Sequence, residues 1–455
     1  MKTGMIQRLI DLIYSCTEQL RVHISMGELE SLAVMIHKAM TLQTRHFHTL
    51  EHVFSFSSSG DPIQSLAALY HDIVYYQVDM GFLPEIKAII APYILEHEHV
   101  FWISTEPYPY DRLFTISLEL FDYRPGQELS PNNGLNEFAS ALVMNKTLEA
   151  IVAERDLVKM NVCVEATIPF RGVDERGLSH FNLLEERLRK VSQTYQCDFT
   201  AEEIENIIRM AVTFSNKDVE NFAELNAGRF LDNTWKLLPE TNVALRSRNI
   251  YTIREYRQAL QKTGLFFKVL NVQNIFNRYK GYPPEKEFNQ IVSQARSNIS
   301  LAREYLAIKL IAQAVLEALA DLTGGDAPLS LFMGEIVDRG EKVKRIEHFL
   351  PKISPERYVP HKQVLLELLD TGRAGESVFD LRNSPVSLYI YLQTEDHEIN
   401  RLVDLAFQMF HKALEPQDFL DEIDGQVVAD IARACAMMVF TRREKLLNYA
   451  NLRSP

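Results

Sequence analysis

The sequence predicts an all-α protein, and three observations carry that expectation. Apolar residues recur at helical spacing near the N-terminus, with Ile6, Leu9, Ile10, Leu12, Ile13 and Leu20 in residues 5–22 and a second such run in 27–40. Helix-start signals stand before later apolar runs: Asp61-Pro62 gives an N-cap with proline at N1 and Gln64 at N3, and Thr200 with Glu203 forms a capping-box pair. From residue 285 to 455 the pattern is again helical, with stops at Gly324-Gly325 and Gly372 and breaks at Pro351, Pro355 and Pro360.

Length and composition bound the rest. A chain of 455 residues implies about two domains. The hydrophobic fraction of 46% and charged fraction of 24% are those of a soluble globular protein. A net charge of −13 disfavours general nucleic-acid binding but allows a local basic pocket. Cys16, Cys163, Cys197 and Cys435 are scattered, with no C-x-x-C pair, and read as free thiols in a reducing compartment. The N-terminus lacks a signal-peptide pattern. The most apolar later stretch, 305–322, is interrupted by Lys309, Gln313, Glu317 and Asp321, which reads as an amphipathic helix and not a membrane span. The expectation is a cytoplasmic protein.

Taken in order, 42–56 and 62–77 are expected as two helices joined by a flexible turn, Ser57-Ser58-Ser59-Gly60. His48 and His52 then share one helix face, a turn apart. The second helix delivers His71-Asp72 near its C-terminal end. A carboxylate in an apolar run needs a partner, and imidazole with carboxylate suits a divalent metal. Residues 84–95 look helical. The stretch 96–135, with Pro107, Pro109, Pro125, Pro131 and many aromatics, reads as an irregular insertion, either a lid or wall at a site or a peripheral packing element. Residues 136–160 read as one helix.

The helix at 201–223 carries the stripe Ile204, Ile207, Ile208, Ala211, Ser215, Asp218 and Phe222. Asp218 thus points where the core residues point, and an aspartate there needs a cation or strong donors. From 224 to 300 the chain is mixed, with helical runs near 252–262 and 285–306 and a break at Tyr282-Pro283-Pro284. No repeat or low-complexity tract is present.

The box Phe47-His48-Thr49-Leu50-Glu51-His52-Val53 is followed by Ala68-Leu69-Tyr70-His71-Asp72-Ile73-Val74-Tyr75 and later by Asn136-Glu137-Phe138-Ala139-Ser140-Ala141. In this the chain resembles the HD superfamily of metal-dependent phosphohydrolases, in particular its branch of small predicted phosphohydrolases, over about the first half. The resemblance implies an HD-type helical bundle over 1–240, interrupted by the insertion; the pattern beyond it reads as a connecting region 241–284 and a helical C-terminal domain 285–455 for packing or dimerisation. It implies His52, His71, Asp72 and Asp218 as ligands of a divalent ion, with Mn, Mg, Fe and Zn not distinguished. It places His48 as a proton donor to the leaving oxygen, and Glu137 as orienting a water or binding a second ion. Asn136 fixes a loop or contacts substrate, and Arg171, in Thr167-Ile168-Pro169-Phe170-Arg171, is either a phosphate ligand or a surface arginine.

Tyr75 stands where cyclic-nucleotide phosphodiesterases place a further histidine, so no relative's substrate carries over. His97 and His99, two apart, are expected to be solvated, as are His397 and His411; His46 faces away from His48, and Tyr75 and Asp79 are candidates for the pocket wall. The implied function is hydrolysis of a phosphate ester of a nucleotide or another small molecule by metal-activated water. The alternative is a non-catalytic HD-type protein that binds a ligand and signals through its C-terminal helices.

Overall fold

The computed structural model describes residues 4–56, 60–131, 133–337, 342–375, 377 and 379–453. The serines 57–59 of the expected turn lie outside them. The chain divides into two compact units, one of Met1–Asn221 with Asn271–Ser293, the other of Phe222–Leu270 with Gln294–Pro455.

The first unit holds helices α1 (Met5–Leu20), α2 (Met26–Met40), α3 (Leu50–Phe56), α4 (Pro62–Tyr70), α5 (Tyr76–Asp79) and α6 (Pro84–Ile90). Strands β1 (Ile94–His97) and β2 (Val100–Ile103) follow, then α7 (Arg112–Phe121), β3 (Glu128–Leu129), α8 (Leu135–Leu148), α9 (Glu154–Ala166), α10 (His180–Thr194) and α11 (Ala201–Asp218). The expected all-α class holds, apart from a small antiparallel sheet of order β1-β2-β3, with Ile94 opposite Ile103 and Phe101 opposite Leu129.

Helix α9 is the axis of this unit. It is buried on nearly every side from Leu157 to Ala166 and packs against α4, α7, α8, α10 and α11. A helix surrounded in this way must satisfy its polar groups internally. Asn161 does so: its Nδ2 donates to Asn145 Oδ1 at 2.7 Å, and its Oδ1 accepts from Ser117 Oγ at 2.9 Å.

Several expected boundaries move, and at the first two tertiary hydrogen bonds replace the helical ladder. The helix expected over 42–56 begins only at Leu50. Arg45, whose side chain is fully buried, pins the preceding turn by donating to Asp79 Oδ1 at 2.7 Å and to the Asp72 carbonyl at 2.7 Å. The helix expected over 62–77 stops at Tyr70. Beyond it, the Val74 N–H donates to Ser140 Oγ at 3.1 Å and the Tyr76 N–H to Asn136 Oδ1 at 3.0 Å. The run 136–160 is a hairpin of α8 and α9, not one helix. Helix α11 ends at Asp218, so Phe222 falls off its stripe into a 3₁₀ turn.

The stretch expected to be irregular, 96–135, holds the end of β1, then β2, α7 and β3. Its helix α7 is buried along most of its length and packs on α8, α9 and α10, so it is core and not a lid. Likewise 84–95 divides into α6 and the start of β1. His97 and His99 are exposed, as expected.

The second unit holds α12 (Ala227–Thr241), α13 (Ile253–Val269), most of α14 (Glu285–Thr323), α15 (Leu329–Met333), α16 (Gln363–Asp370), α17 (Pro385–Tyr391), α18 (Asp396–Phe410), α19 (Pro416–Asp421), α20 (Gly425–Met438) and α21 (Arg443–Arg453). Helix α12, capped by Asn226, was hidden in the mixed stretch after residue 224. His397 and His411 are exposed.

The expected cuts at 240 and 284 differ from those observed. Residues 271–293 return to the first unit because Asn216 and Asn277 exchange two hydrogen bonds, of 2.9 and 2.7 Å, and Lys280 pairs with Glu185 at 2.9 Å. Residues 222–240 belong instead with the second unit. Lys309, Gln313 and Glu317 on α14, polar positions of the expected amphipathic helix, are all buried. Among the described residues, no helix is long and apolar enough to cross a membrane, and all four cysteines are free and buried.

Candidate metal centre

Three elements of the first unit bring four side chains to one point. Asp61 caps α4 by accepting from the Gln64 N–H at 2.9 Å, and the helix ends at Tyr70 with His71 as its C-cap residue. Asp72 follows in the turn that Arg45 holds from behind. Helix α3 offers His52 from its first turn, and α11 offers Asp218 as its last residue.

One ligand atom from each of His52, His71, Asp72 and Asp218 lies within 4.8 Å of the others. His52 Nε2 is 3.2 Å from Asp218 Oδ1 and 3.9 Å from Asp72 Oδ2. His71 Nε2 is 3.1 Å from Asp72 Oδ2 and 3.6 Å from Asp218 Oδ1. Ligands bonded at about 2.1 Å to one ion stand about 3.0–4.2 Å apart, so these four separations are those of a single coordination sphere.

The hydrogen bonding fits the same occupant. His71 Nδ1 faces the Ala68 carbonyl at 2.8 Å, which places the proton on Nδ1 and turns the Nε2 lone pair toward the cluster. His71 Nε2 and Asp72 Oδ2 are both buried and neither makes a hydrogen bond, although they face one another. Two orphaned donor atoms of metal-ligand type, aimed at one point, fit a cation between them.

The charges in the cluster lean on one another. Burial opposes the charged form of Asp72, and the nearby imidazoles of His71, His48 and His52 overcome it, holding the carboxyl well below its usual range. Asp218 is likewise lowered against burial by His52 and His71. Burial also opposes a charge on His71, but the carboxylates of Asp72 and Asp218 raise it well above an ordinary histidine. A cation and a proton on His71 thus answer the same electrostatic demand.

His48 stands at the rim, in the bend before α3 and not on the helix, so its nearness to His52 is not the expected i,i+4 relation. Its ring lies 6.1 Å from that of His52 and meets Tyr75 edge-on at 4.4 Å. Glu137 on α8 is half-buried, and burial pushes its carboxyl up to about 7, with Asp72 and Asp218 adding to the rise and Arg171 opposing it. Gly134 opens α8 with φ +77°, and a Cβ there would collide with the Tyr123 hydroxyl and with Ile168, so this close approach requires glycine.

Asn136 does not face a substrate. Its Oδ1 accepts from the Tyr76 N–H and its Nδ2 donates to Gln77 Oε1 at 3.1 Å, which is the loop-fixing role. Arg171 has its fork committed to the buried Glu165, with Nη1 donating to Oε1 at 2.6 Å and Nη2 to Oε2 at 3.2 Å, while its Nε keeps no hydrogen bond. Asp79 is the ion-pair partner of Arg45 and not a pocket wall.

Sequence reasoning missed four residues here. Arg45 supports the doublet. Phe214 sits one turn before Asp218 and packs its ring 5.9 Å from that of His71, while Phe56 lies 4.8 Å away on the same imidazole. Glu165 interrupts the apolar run Val162–Ala166 of a helix buried all round, a signal that was legible. Burial works against its charge, yet Arg171 and Arg187 hold its carboxyl at about 2. Comparison with protein-family models, with curated proteins and with solved structures finds no match to this chain.

Proposed function

We propose that the chain is a metal-dependent phosphohydrolase of HD type, acting on a phosphate ester of a nucleotide or another small molecule. The observation that carries this reading is the cluster of His52, His71, Asp72 and Asp218, with its two buried atoms left unpaired. Those four would hold a divalent ion, and two imidazoles with two carboxylates suit Mn, Mg, Fe or Zn. The chemistry a bound ion supplies is Lewis acidity toward a phosphoryl oxygen and a lowered pKa for water.

The chain's own residues do the rest. His48, at the rim, gives a proton to the leaving oxygen. Glu137, held near neutrality by burial, takes a proton from the attacking water. Phe56 and Phe214 keep bulk water from the buried side of His71, which strengthens each charge interaction inside.

The test is metal analysis of the purified protein together with turnover of a panel of nucleotides and phosphomonoesters, with Mn²⁺, Mg²⁺ and Zn²⁺ supplied separately. Metal at about one equivalent with turnover of at least one ester is expected. Metal with no turnover on any ester gives the site to ligand binding and regulation instead.

A further inference from the structure

The second unit contains a cavity that the phosphohydrolase reading does not use. It is narrow and partly open to solvent, with room for a few water-sized groups, and its polar wall includes Lys309, Gln313, Asp380 and Ser384. Leu329 and Val386 give it an apolar side.

Gln313 is 5% exposed, yet its buried Oε1 makes no hydrogen bond. Which amide atom takes this position is a matter of orientation, so Nε2 can present a donor there instead. Leaving such a group buried and unpaired costs roughly 1–3 kcal/mol, so an unmatched amide atom on a cavity wall points to something in the cavity. One helical turn earlier on α14, Lys309 is 4% exposed. Its ammonium has three donors. Two reach Asp380 Oδ2 and Ser384 Oγ, both at 3.3 Å, and the third meets no acceptor oxygen or nitrogen among the described residues.

The charge there is also unbalanced. Among the described residues Asp380 is the single carboxylate paired with Lys309 and the fully buried Arg373, each 3.3 Å from its Oδ2. Among the described residues two buried cations thus face one anion; the rings of Trp235, Tyr256 and Tyr305, 4.9–5.8 Å from them, attract them but carry no charge, and a buried charge demands a counter-charge.

We propose that this cavity is a binding site for a small organic or inorganic oxyanion, a carboxylate or a phosphate. The anion accepts from Lys309, and the Gln313 amide reads a second polar atom. The narrow cavity limits the ligand to a few heavy atoms, and the apolar side accommodates a short carbon body.

Isothermal titration of the full-length protein with sodium phosphate and, separately, with sodium acetate tests this. Saturable binding near one equivalent is expected for at least one of them; phosphate alone assigns a phosphorylated ligand and acetate alone a carboxylate. Gln313→Leu and the volume-matched Gln313→Met should weaken that binding at least tenfold while leaving the melting temperature undiminished, because each removes an unpaired buried amide atom. Asp72→Ala should leave it intact. The proposal is overturned if neither anion binds, so that the cavity holds water only. It is equally overturned if both Gln313 variants bind as tightly as the parent, or if Asp72→Ala abolishes the binding, which would place it at the metal cluster.

Discussion

Each compact unit buries a cluster of opposite charges, and the two clusters differ in how completely they are satisfied. In the second unit a single oxygen, Asp380 Oδ2, accepts from Trp235 Nε1 at 2.8 Å, the Tyr256 hydroxyl at 2.7 Å, and Lys309 and Arg373 at 3.3 Å each. In the first unit, His71 Nε2 and Asp72 Oδ2 face one another and make no hydrogen bond. Burial of charge alone therefore does not mark a metal site. The Asp380 carboxylate is saturated by the fold, whereas the histidine–aspartate cluster is left one cation short.

The largest expected effect sets these clusters against each other directly. Asp72→Ala should abolish metal binding and turnover, because a lost ligand is not replaced by water at equal affinity. With metal removed by a chelator, the same variant should keep most of the parent's stability, since Asp72 Oδ2 accepts no hydrogen bond and only its attraction to the nearby imidazoles is given up. Asp380→Ala should do the opposite and cost about 3–5 kcal/mol of stability by stranding Lys309 and Arg373. Denaturant unfolding of both variants in chelator decides this. If Asp72→Ala proves the more destabilised of the two, the contrast between the clusters disappears.

Next in size is the role of His48. His48→Ala should retain the metal while turnover falls by roughly 10²–10⁴-fold, the usual contribution of a general acid. The fall should be smallest for nitrophenyl phosphates, whose leaving group needs little protonation. Loss of metal as complete as in His52→Ala would make His48 a ligand. An equal fall on good and poor leaving groups would make it a positioning group instead.

How much of this was legible in the sequence follows the same division. The motif boxes located His52, His71 and Asp72, and helical periodicity alone put Asp218 on an inward face. Local patterning did not show where the helices stop. Arg45 ends the order of 42–49 as a helix, and Ser140 and Asn136 end it after Tyr70, through partners that lie from 27 to 66 residues away. Lys309, Gln313 and Glu317 recur every four residues and so mimic a solvated stripe. Only the partners of Lys309 and Glu317, among them Asp380 and Arg257, show that this stripe faces inward. Periodicity reports which residues share a face; it does not report what the face meets.

The smallest effect separates two carboxylates of the first unit. Glu165, paired with Arg171 and Arg187, is held at about 2, while Glu137, with no ion-pair partner among the described residues, is pushed by burial to about 7. The signs of their contributions to stability are opposite. For Glu165 the folded form holds its proton less tightly than the unfolded chain, so its stabilisation is present above about 4.5 and is lost as pH falls toward about 2. For Glu137 the folded form holds the proton more tightly. Between about 4.5 and about 7 the unfolded chain has released a proton that the folded chain keeps, so stability falls as pH rises through that window and is level above it. Glu137→Gln removes this dependence and leaves every other titrating group in place. In chelator, the stability of the variant relative to the parent should therefore climb from pH 5 to pH 7, at no more than about 1.4 kcal/mol per pH unit, and then level off. Denaturant unfolding at pH 5, 6, 7 and 8 measures that difference. Parallel curves for variant and parent would return Glu137 to an ordinary solvated carboxylate and remove it from the proton transfer assigned to it.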